Sequence, residues 1–348
     1  LVRDKLGRKM SKSLGNSPDP IGLMNKYGAD GVRVGMLLCA PAGNDLPFDE
    51  SLCEQGRNFS NKIWNAFRLI KGWKIKDIDQ EQASIDGIKW FENKLYYTIK
   101  EIDISFSKYR ISEALMLTYK LVWDDFCSQY LEIIKPEYQQ PIDEETYNQT
   151  ISFLENILQL LHPFMPFLSE EIWHLIDDRE SDIIVSQWPK AKSIDEQLIN
   201  DFNNTVEVVS GIRNIRKEKN IAKKEELDLF IINNTEAKNN LDSIIIKLGN
   251  LSKVEYTKKK IEQAFSFMVK SNEYFVPLIE SFDKDAELEK LNKDLDYTKG
   301  FLKIVESKLS NNKFVDNAPS NLVENEKNKL KDAKEKIRIL TEKINSLS

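Results

Sequence analysis

Gly7-Arg8-Lys9-Met10-Ser11-Lys12-Ser13-Leu14-Gly15-Asn16 is the stretch on which the reading of this chain turns. Three cations (Arg8, Lys9, Lys12), two hydroxyls (Ser11, Ser13) and two glycines fall within these ten residues, with little apolar bulk to build a core. Gly7 and Gly15 open backbone conformations closed to other residues, so the segment reads as a loop. Ammonium groups, hydroxyls and backbone N–H donors on such a loop can wrap an oligophosphate. A solvated basic turn is the alternative reading of so short a pattern.

Working outward, 348 residues suffice for two or three domains, and 41% hydrophobic with 10% aromatic residues can fill sizeable cores. No apolar run reaches the length of a membrane span, and the N-terminus lacks a signal-peptide pattern. Cys39, Cys53 and Cys127 are odd in number and scattered, which suits a reducing compartment and predicts a cytoplasmic protein without disulfides. His162 and His174 lie near no cysteine pair, so no metal site is expected. The net charge of −6 is uneven: residues 36–190 carry 15 Lys and Arg against 26 Asp and Glu, whereas residues 1–35 carry 7 against 3. Local basic surfaces therefore remain available to a nucleic acid.

Residues 1–35 are expected to hold a strand end at Leu1-Val2-Arg3, the loop, and a first helix closing with Arg33, with Pro18 and Pro20 breaking the chain between them. From Asp49 to about Ile176 the periodicity is helical. In the first of these helices Phe59, Ile63, Phe67 and Ile70 share one face. Further helices are expected over Ile88–Phe106, Ser112–Glu132 and Thr146–Leu161, then a short one capped by Ser169. Together these make an antiparallel helical bundle, residues 36–190, whose tryptophans and tyrosines read as core. Residues 191–280 read as a small α+β domain: helices over Asn200–Lys219 and Ala237–Leu248, strands over Leu227–Ile232 and Ser252–Thr257, and a hairpin of Ala264–Val269 with Tyr274–Leu278 turning at Ser271-Asn272. In residues 281–348, Leu288, Leu291, Leu295, Thr298, Leu302, Val305 and Leu309 step by three and four. So do Val323, Glu326, Leu330, Ala333, Ile337, Leu340, Ile344 and Leu347. Two such arms, separated by turn residues, predict a C-terminal antiparallel coiled-coil hairpin roughly 30–35 Å long.

Lys9-Met10-Ser11-Lys12-Ser13 is similar, letter for letter, to the signature loop of class I aminoacyl-tRNA synthetases. Its continuation, Leu14-Gly15-Asn16, Asp19-Pro20 and Lys26-Tyr27-Gly28-Ala29-Asp30 with Arg33, resembles the isoleucyl, leucyl and valyl branch. Gly56-Arg57-Asn58-Phe59-Ser60-Asn61-Lys62-Ile63-Trp64-Asn65-Ala66 resembles the first anticodon-domain helix of the valyl-tRNA synthetases. Trp123-Asp124-Asp125-Phe126-Cys127, Leu161-His162-Pro163-Phe164-Met165-Pro166-Phe167, Ser186-Gln187-Trp188-Pro189 and Ile212-Arg213-Asn214-Ile215-Arg216 continue the likeness, and a terminal coiled-coil hairpin fits the valyl group. Departures are small: Ser17-Pro18 precedes Asp19, Gly31 stands where the family usually has alanine, and Ala222 replaces a proline.

The resemblance implies a mainly α fold: the tail of a nucleotide-binding α/β catalytic domain (1–35), an anticodon-binding bundle, an α+β junction and a tRNA-binding arm. It implies a ligase that activates valine with ATP, Mg2+ accompanying the nucleotide, and charges tRNA(Val). The signature residues Lys9, Met10, Ser11, Lys12 and Ser13 belong to catalysis, with Lys12 on the ATP phosphates. The family's His-x-Gly-His signature and editing domain lie upstream; no such histidine pair occurs here, and a sequence beginning at Leu1 is expected to be a fragment that does not aminoacylate alone. For tRNA, Arg57, Asn58, Asn61, Lys62, Trp64 and Asn65 can offer phosphate contacts, amide hydrogen bonds and stacking, although Trp64 also reads as core. Arg213, Arg216 and Lys217 form a basic stripe at helical spacing that reads either as phosphate contacts or as a solvated face. The arm should pair with itself and leave the protein monomeric. The alternatives are an isoleucyl or leucyl enzyme, or a non-catalytic tRNA-binding or coiled-coil interaction module.

Overall fold

A computed structural model describes residues 1–40, 43–232, 241–278, 284–310 and 319–347. The chain forms two compact units, Leu1–Thr205 and Val206–Ser348, and each has its own core.

In the first unit, strands β1 (Val2–Arg3) and β2 (Leu46–Pro47) pair in parallel around the opening loop. Helix α1 (Pro20–Tyr27) begins where the Asp19 carboxylate accepts from the amides of Ile21 and Gly22, with Pro20 at its first position. Gly28, at φ 76°, ends α1 and starts α2 (Ala29–Leu38). The single helix expected to close at Arg33 is thus two, and the expected border at residue 35 falls inside the second. Helix α2 crosses α3 (Glu50–Lys71) almost backbone to backbone: a Cβ on Gly56 would stand 2.3 Å from the Gly31 carbonyl oxygen. That contact welds the N-terminal tail to the bundle.

The bundle continues with α4 (Gln82–Ser107), α5 (Ile111–Lys120), a π-helical segment (Leu121–Tyr130), α6 (Leu131–Ile134), α7 (Glu144–Leu161) and α8 (Pro166–Ile176). A two-residue parallel pair, β3 (Ile75–Lys76) with β4 (Ile142–Asp143), ties its long connections together. The sequence predicts one regular helix from Ser112 to Glu132; the structure widens its middle to π geometry, with Ser128 Oγ donating to the Trp123 carbonyl at 2.7 Å. Trp90, Phe91, Phe126, Tyr130 and Phe153 are buried, and the Phe91 ring lies 4.8–5.4 Å from the rings of Tyr130, Phe153 and Phe126. Not every bundle aromatic is core, however: Tyr109 and Tyr138 are 87% and 90% exposed.

Ser169 is not the cap of α8. The helix starts earlier, at Pro166, and the buried Ser169 hydroxyl donates to the Met165 carbonyl and meets His162 Nδ1 at 2.8 Å. The capping carboxylate comes from α2: Asp30 accepts from the amides of Leu168 (2.7 Å) and Phe167 (3.5 Å). Arg33 adds hydrogen bonds to the carbonyls of Phe164 and Pro163, both 3.1 Å. Burial pushes the Asp30 carboxyl above its ordinary range, against the pull of the two amides.

Helix α9 (Glu196–Glu218) carries the border between the units. In the second unit β5 (Leu227–Ile232), α10 (Asp242–Gly249) and β6 (Leu251–Tyr256) form a parallel crossover, and β7 (Ala264–Val269) and β8 (Asn272–Pro277) form the expected hairpin, which turns at Lys270-Ser271 rather than Ser271-Asn272 because Asn272 already pairs with Val269. The sheet order is β6-β5-β8-β7. Residues 237–240 of the expected helix, and residues 311–318 of the expected arm turn, lie outside the described residues. Helices α11 (Lys284–Leu309) and α12 (Ser320–Leu347) pack against each other, Lys308 facing Glu326 at 3.8 Å and Glu306 facing Lys334 at 3.5 Å, as antiparallel chains require. Leu291, Leu295 and Leu340 at the root of this pair share one core with Ile212, Leu229, Ile245 and Val276. The arm's core is therefore not wholly its own. Among the described residues no helix is long and apolar enough to cross a membrane.

Candidate nucleotide and nucleic-acid interface

The opening loop is pinned from inside. Met10 N donates to the Val2 carbonyl at 2.9 Å, and the Met10 side chain packs on Leu23, Tyr27, Phe48 and Cys53. Asn16 ties the far side: its Oδ1 accepts from Ser11 N at 2.9 Å, while its Nδ2 donates to Asp4 (3.0 Å) and to the Lys9 carbonyl (3.2 Å). Asp4 also accepts from the Arg8 guanidinium and from the amides of Leu6 and Arg8. Its hydrogen bond from Asn16, then those from Arg8, hold its carboxyl well below the usual range. Ser11 caps a short 3-10 turn over Lys12–Leu14, its Oγ accepting from Leu14 N at 3.3 Å and lying 3.2 Å from Ser13 Oγ; Gly15, at φ 64°, closes the turn. Of the three loop cations, Arg8 is thus committed to Asp4. Lys9 and Lys12 are exposed, and their ammonium groups have no hydrogen-bond or ion-pair partner among the described residues. Two free ammonium groups on a braced loop can meet phosphate oxygens without first breaking an internal contact.

On α3, Asn58, Asn61 and Asn65 are exposed along the centre of the solvent face. Arg57 and Trp64 stand at one margin and Lys62 at the other, as a 3.6-residue repeat dictates. Arg57 leans on Tyr27, 5.9 Å from the ring centre, and Glu54, at 3.8 Å; its Nε is buried without an acceptor among the described residues. Lys62 lies 5.5 Å over the Trp123 ring, and Trp64 is half-buried with its ring 5.7 Å from Phe67.

On α9, Arg213 and Lys217 are exposed, but Arg216 is not. It is 7% exposed, and its guanidinium donates to the carbonyls of Ala222, Gly249 and Asn250, each at 3.0 Å. A guanidinium already spent on three carbonyls cannot serve as a phosphate contact, so the expected basic stripe shrinks to Arg213 and Lys217. Sequence spacing alone could not show this, because the acceptors come from a loop and from the end of α10. His162 is a structural contact to Ser169, and His174 lies within 3.2 and 3.3 Å of Glu170 and Asp182. On the arm Lys293 pairs with Glu289 and Lys308 with Glu326, whereas Lys303 is exposed; Lys313 lies outside the described residues.

Three family models account for successive parts of the chain. Residues 1–49 match the class I tRNA synthetases (I, L, M and V), residues 88–231 the anticodon-binding domain of tRNA ligase, and residues 283–348 the valyl tRNA synthetase tRNA binding arm. Among curated relatives, the valine–tRNA ligase of Christiangramia forsetii is 53% identical over 351 residues and that of Parabacteroides distasonis 51% over 351; each match takes in 100% of this chain and 40% of the relative. The valine–tRNA ligase of Fusobacterium nucleatum is 35% identical over 365 residues, 99% of this chain and 41% of the relative. The chain thus spans about 40% of the length of the relatives it matches, at their C-terminal end. The braced signature loop, the helical bundle fused to it, the terminal helix pair and these matches agree: the chain belongs to the valyl-tRNA synthetase family of class I aminoacyl-tRNA synthetases.

Proposed function

We propose that this chain is the C-terminal part of a cytoplasmic, monomeric enzyme that activates valine with ATP and attaches it to tRNA(Val). The observation that carries the catalytic half of this reading is the pair of unpartnered ammonium groups, Lys9 and Lys12, on a loop held by Asn16, Asp4 and Met10. As the valine carboxylate attacks the α-phosphate, negative charge grows on the departing pyrophosphate, and positioned cations stabilise it. Lys12, next to the Ser11 cap, takes the pyrophosphate oxygens; Lys9 supports it; Ser11 and Ser13 shape the turn; Met10 anchors the loop. The Mg2+ that accompanies ATP finds no ligand in this loop, since Asp4 is saturated by Asn16, Arg8 and two amides. The phosphates themselves, or upstream residues, would hold it.

The exposed face of α3 would meet the anticodon, Arg213 and Lys217 the tRNA backbone, and a coiled-coil arm of α11 and α12 the outer corner of the tRNA. Editing of misactivated threonine belongs to the upstream part of the full-length enzyme. The purified chain should bind tRNA and show no valine-dependent ATP–pyrophosphate exchange, because the rest of the nucleotide pocket is not in it. Robust exchange by the chain alone would refute this division of labour.

A further inference from the structure

At the end of α4, Tyr109 N donates to the Phe106 carbonyl and Arg110 N to the Ser105 carbonyl, both at 2.9 Å. This cap puts Tyr109 in the left-handed region, φ 57°. Glycine is the usual occupant of that position, because a Cβ there crowds the adjoining carbonyl. Among the described residues Gln139, Asn220, Asn250, Gln263 and Lys270 share this region with unbranched or short polar side chains; Tyr109 is the one bulky aromatic in it. Its ring recovers nothing from the fold, being 87% exposed. Folding alone would favour glycine here, so the ring's use lies outside the folded chain.

The surroundings name its chemistry. Lys108, Tyr109 and Arg110 are all exposed, at a turn within a region, residues 36–190, that otherwise carries 26 acidic residues against 13 basic ones. The Lys108 ammonium has no partner among the described residues, and Arg110 Nη1 donates to the Glu113 carboxylate at 3.4 Å, a long, exposed pair that a phosphate can displace. The turn is also fixed in place: Ser112 Oγ donates to the carbonyls of Leu37 (2.8 Å) and Ala40 at the end of α2. A rigid aromatic ring between two cations offers a stacking platform for a nucleobase with phosphate contacts on either side. We infer that the Lys108-Tyr109-Arg110 turn is a second RNA-contact point on this unit, separate from the α3 face, where a base of the tRNA stacks on Tyr109. The inference rests on the tRNA-binding function proposed above.

The test uses the full-length protein carrying Tyr109→Gly, Tyr109→Phe or the double change Lys108→Ala with Arg110→Ala. Thermal unfolding is measured alongside tRNA affinity across salt concentrations. Tyr109→Gly should raise Tm by about 2–4 °C while weakening tRNA binding about tenfold. Tyr109→Phe should keep the affinity within about twofold, since the ring remains. The double variant should lower the salt slope by about two, roughly one per lost phosphate contact. A Tyr109→Gly protein that is less stable, or that binds tRNA as the wild type does, overturns the inference. A wild type without affinity for tRNA overturns the proposed function, and this inference with it.

Discussion

Lys12 and Arg216 are both cations at helical or loop positions that look alike in the sequence, and the structure separates them by what their charge already does. In the full-length enzyme Lys12→Ala should slow adenylate formation by the equivalent of about 2–4 kcal/mol, the scale of one lost charge-stabilising group. Valine affinity should stay nearly unchanged, because the ammonium meets pyrophosphate. Normal exchange kinetics with weak valine binding would contradict that role. Arg216→Ala strands three carbonyls and should cost the second unit about 2–4 kcal/mol. It should leave the salt dependence of tRNA binding alone, whereas Arg213→Ala should lower that slope with little loss of stability. Asp125 gives a pH signature: burial pushes its carboxyl up to about 6, against the attraction of Lys94 at 3.5 Å. The folded state therefore holds this proton where the unfolded chain releases it. Stability from this group is present below about pH 4 and is lost as pH rises through 6, by on the order of 2–3 kcal/mol. Asp125→Asn should raise Tm at pH 7 and lose that advantage near pH 4; a gap independent of pH would show that the carboxyl titrates normally.

Most of the elements were legible because their information is local. The buried face of α3, the hairpin of β7 and β8 and the seams of α11 and α12 all follow from periodicity, and the loop follows from its glycines, hydroxyls and charge. What was not legible depends on partners far along the chain. Nothing near Ser169 says that Asp30, over a hundred residues earlier, caps α8 in its place. Nothing in the window from Ser112 to Glu132 announces a π segment, since π and α geometry bury similar residues. Gly31 and Gly56 read as soft spots until their helices are seen to touch. Gly56→Ala would force a Cβ to within 2.3 Å of the Gly31 oxygen, so α2 and α3 must part. The expected cost is about 1–3 kcal/mol, read by denaturant unfolding of the chain, with a matching loss of exchange activity in the full-length enzyme. A Gly56→Ala chain as stable as the wild type would show that the crossing yields without penalty.

Across the whole molecule, the N-terminal segment that matches the class I tRNA synthetases is fused to the bundle through α2, and the arm is rooted in the α+β core through Leu291, Leu295 and Leu340. Removing Leu288–Ser348 should therefore do two things. It should weaken tRNA binding and flatten its salt dependence, and it should lower the stability of the second unit, whose core loses those leucines, while the first unit unfolds as before. Unchanged affinity together with lost stability would reduce the arm to a structural part. The central claim, that this chain is the tRNA-binding part of a valine-specific enzyme, is tested most directly by the affinity of the purified chain for valine, isoleucine and leucine tRNAs at one fixed salt concentration. tRNA(Val) should bind tighter than the other two by about tenfold or more, the worth of one good base-specific contact. Equal affinity for all three, or none for any, would contradict it.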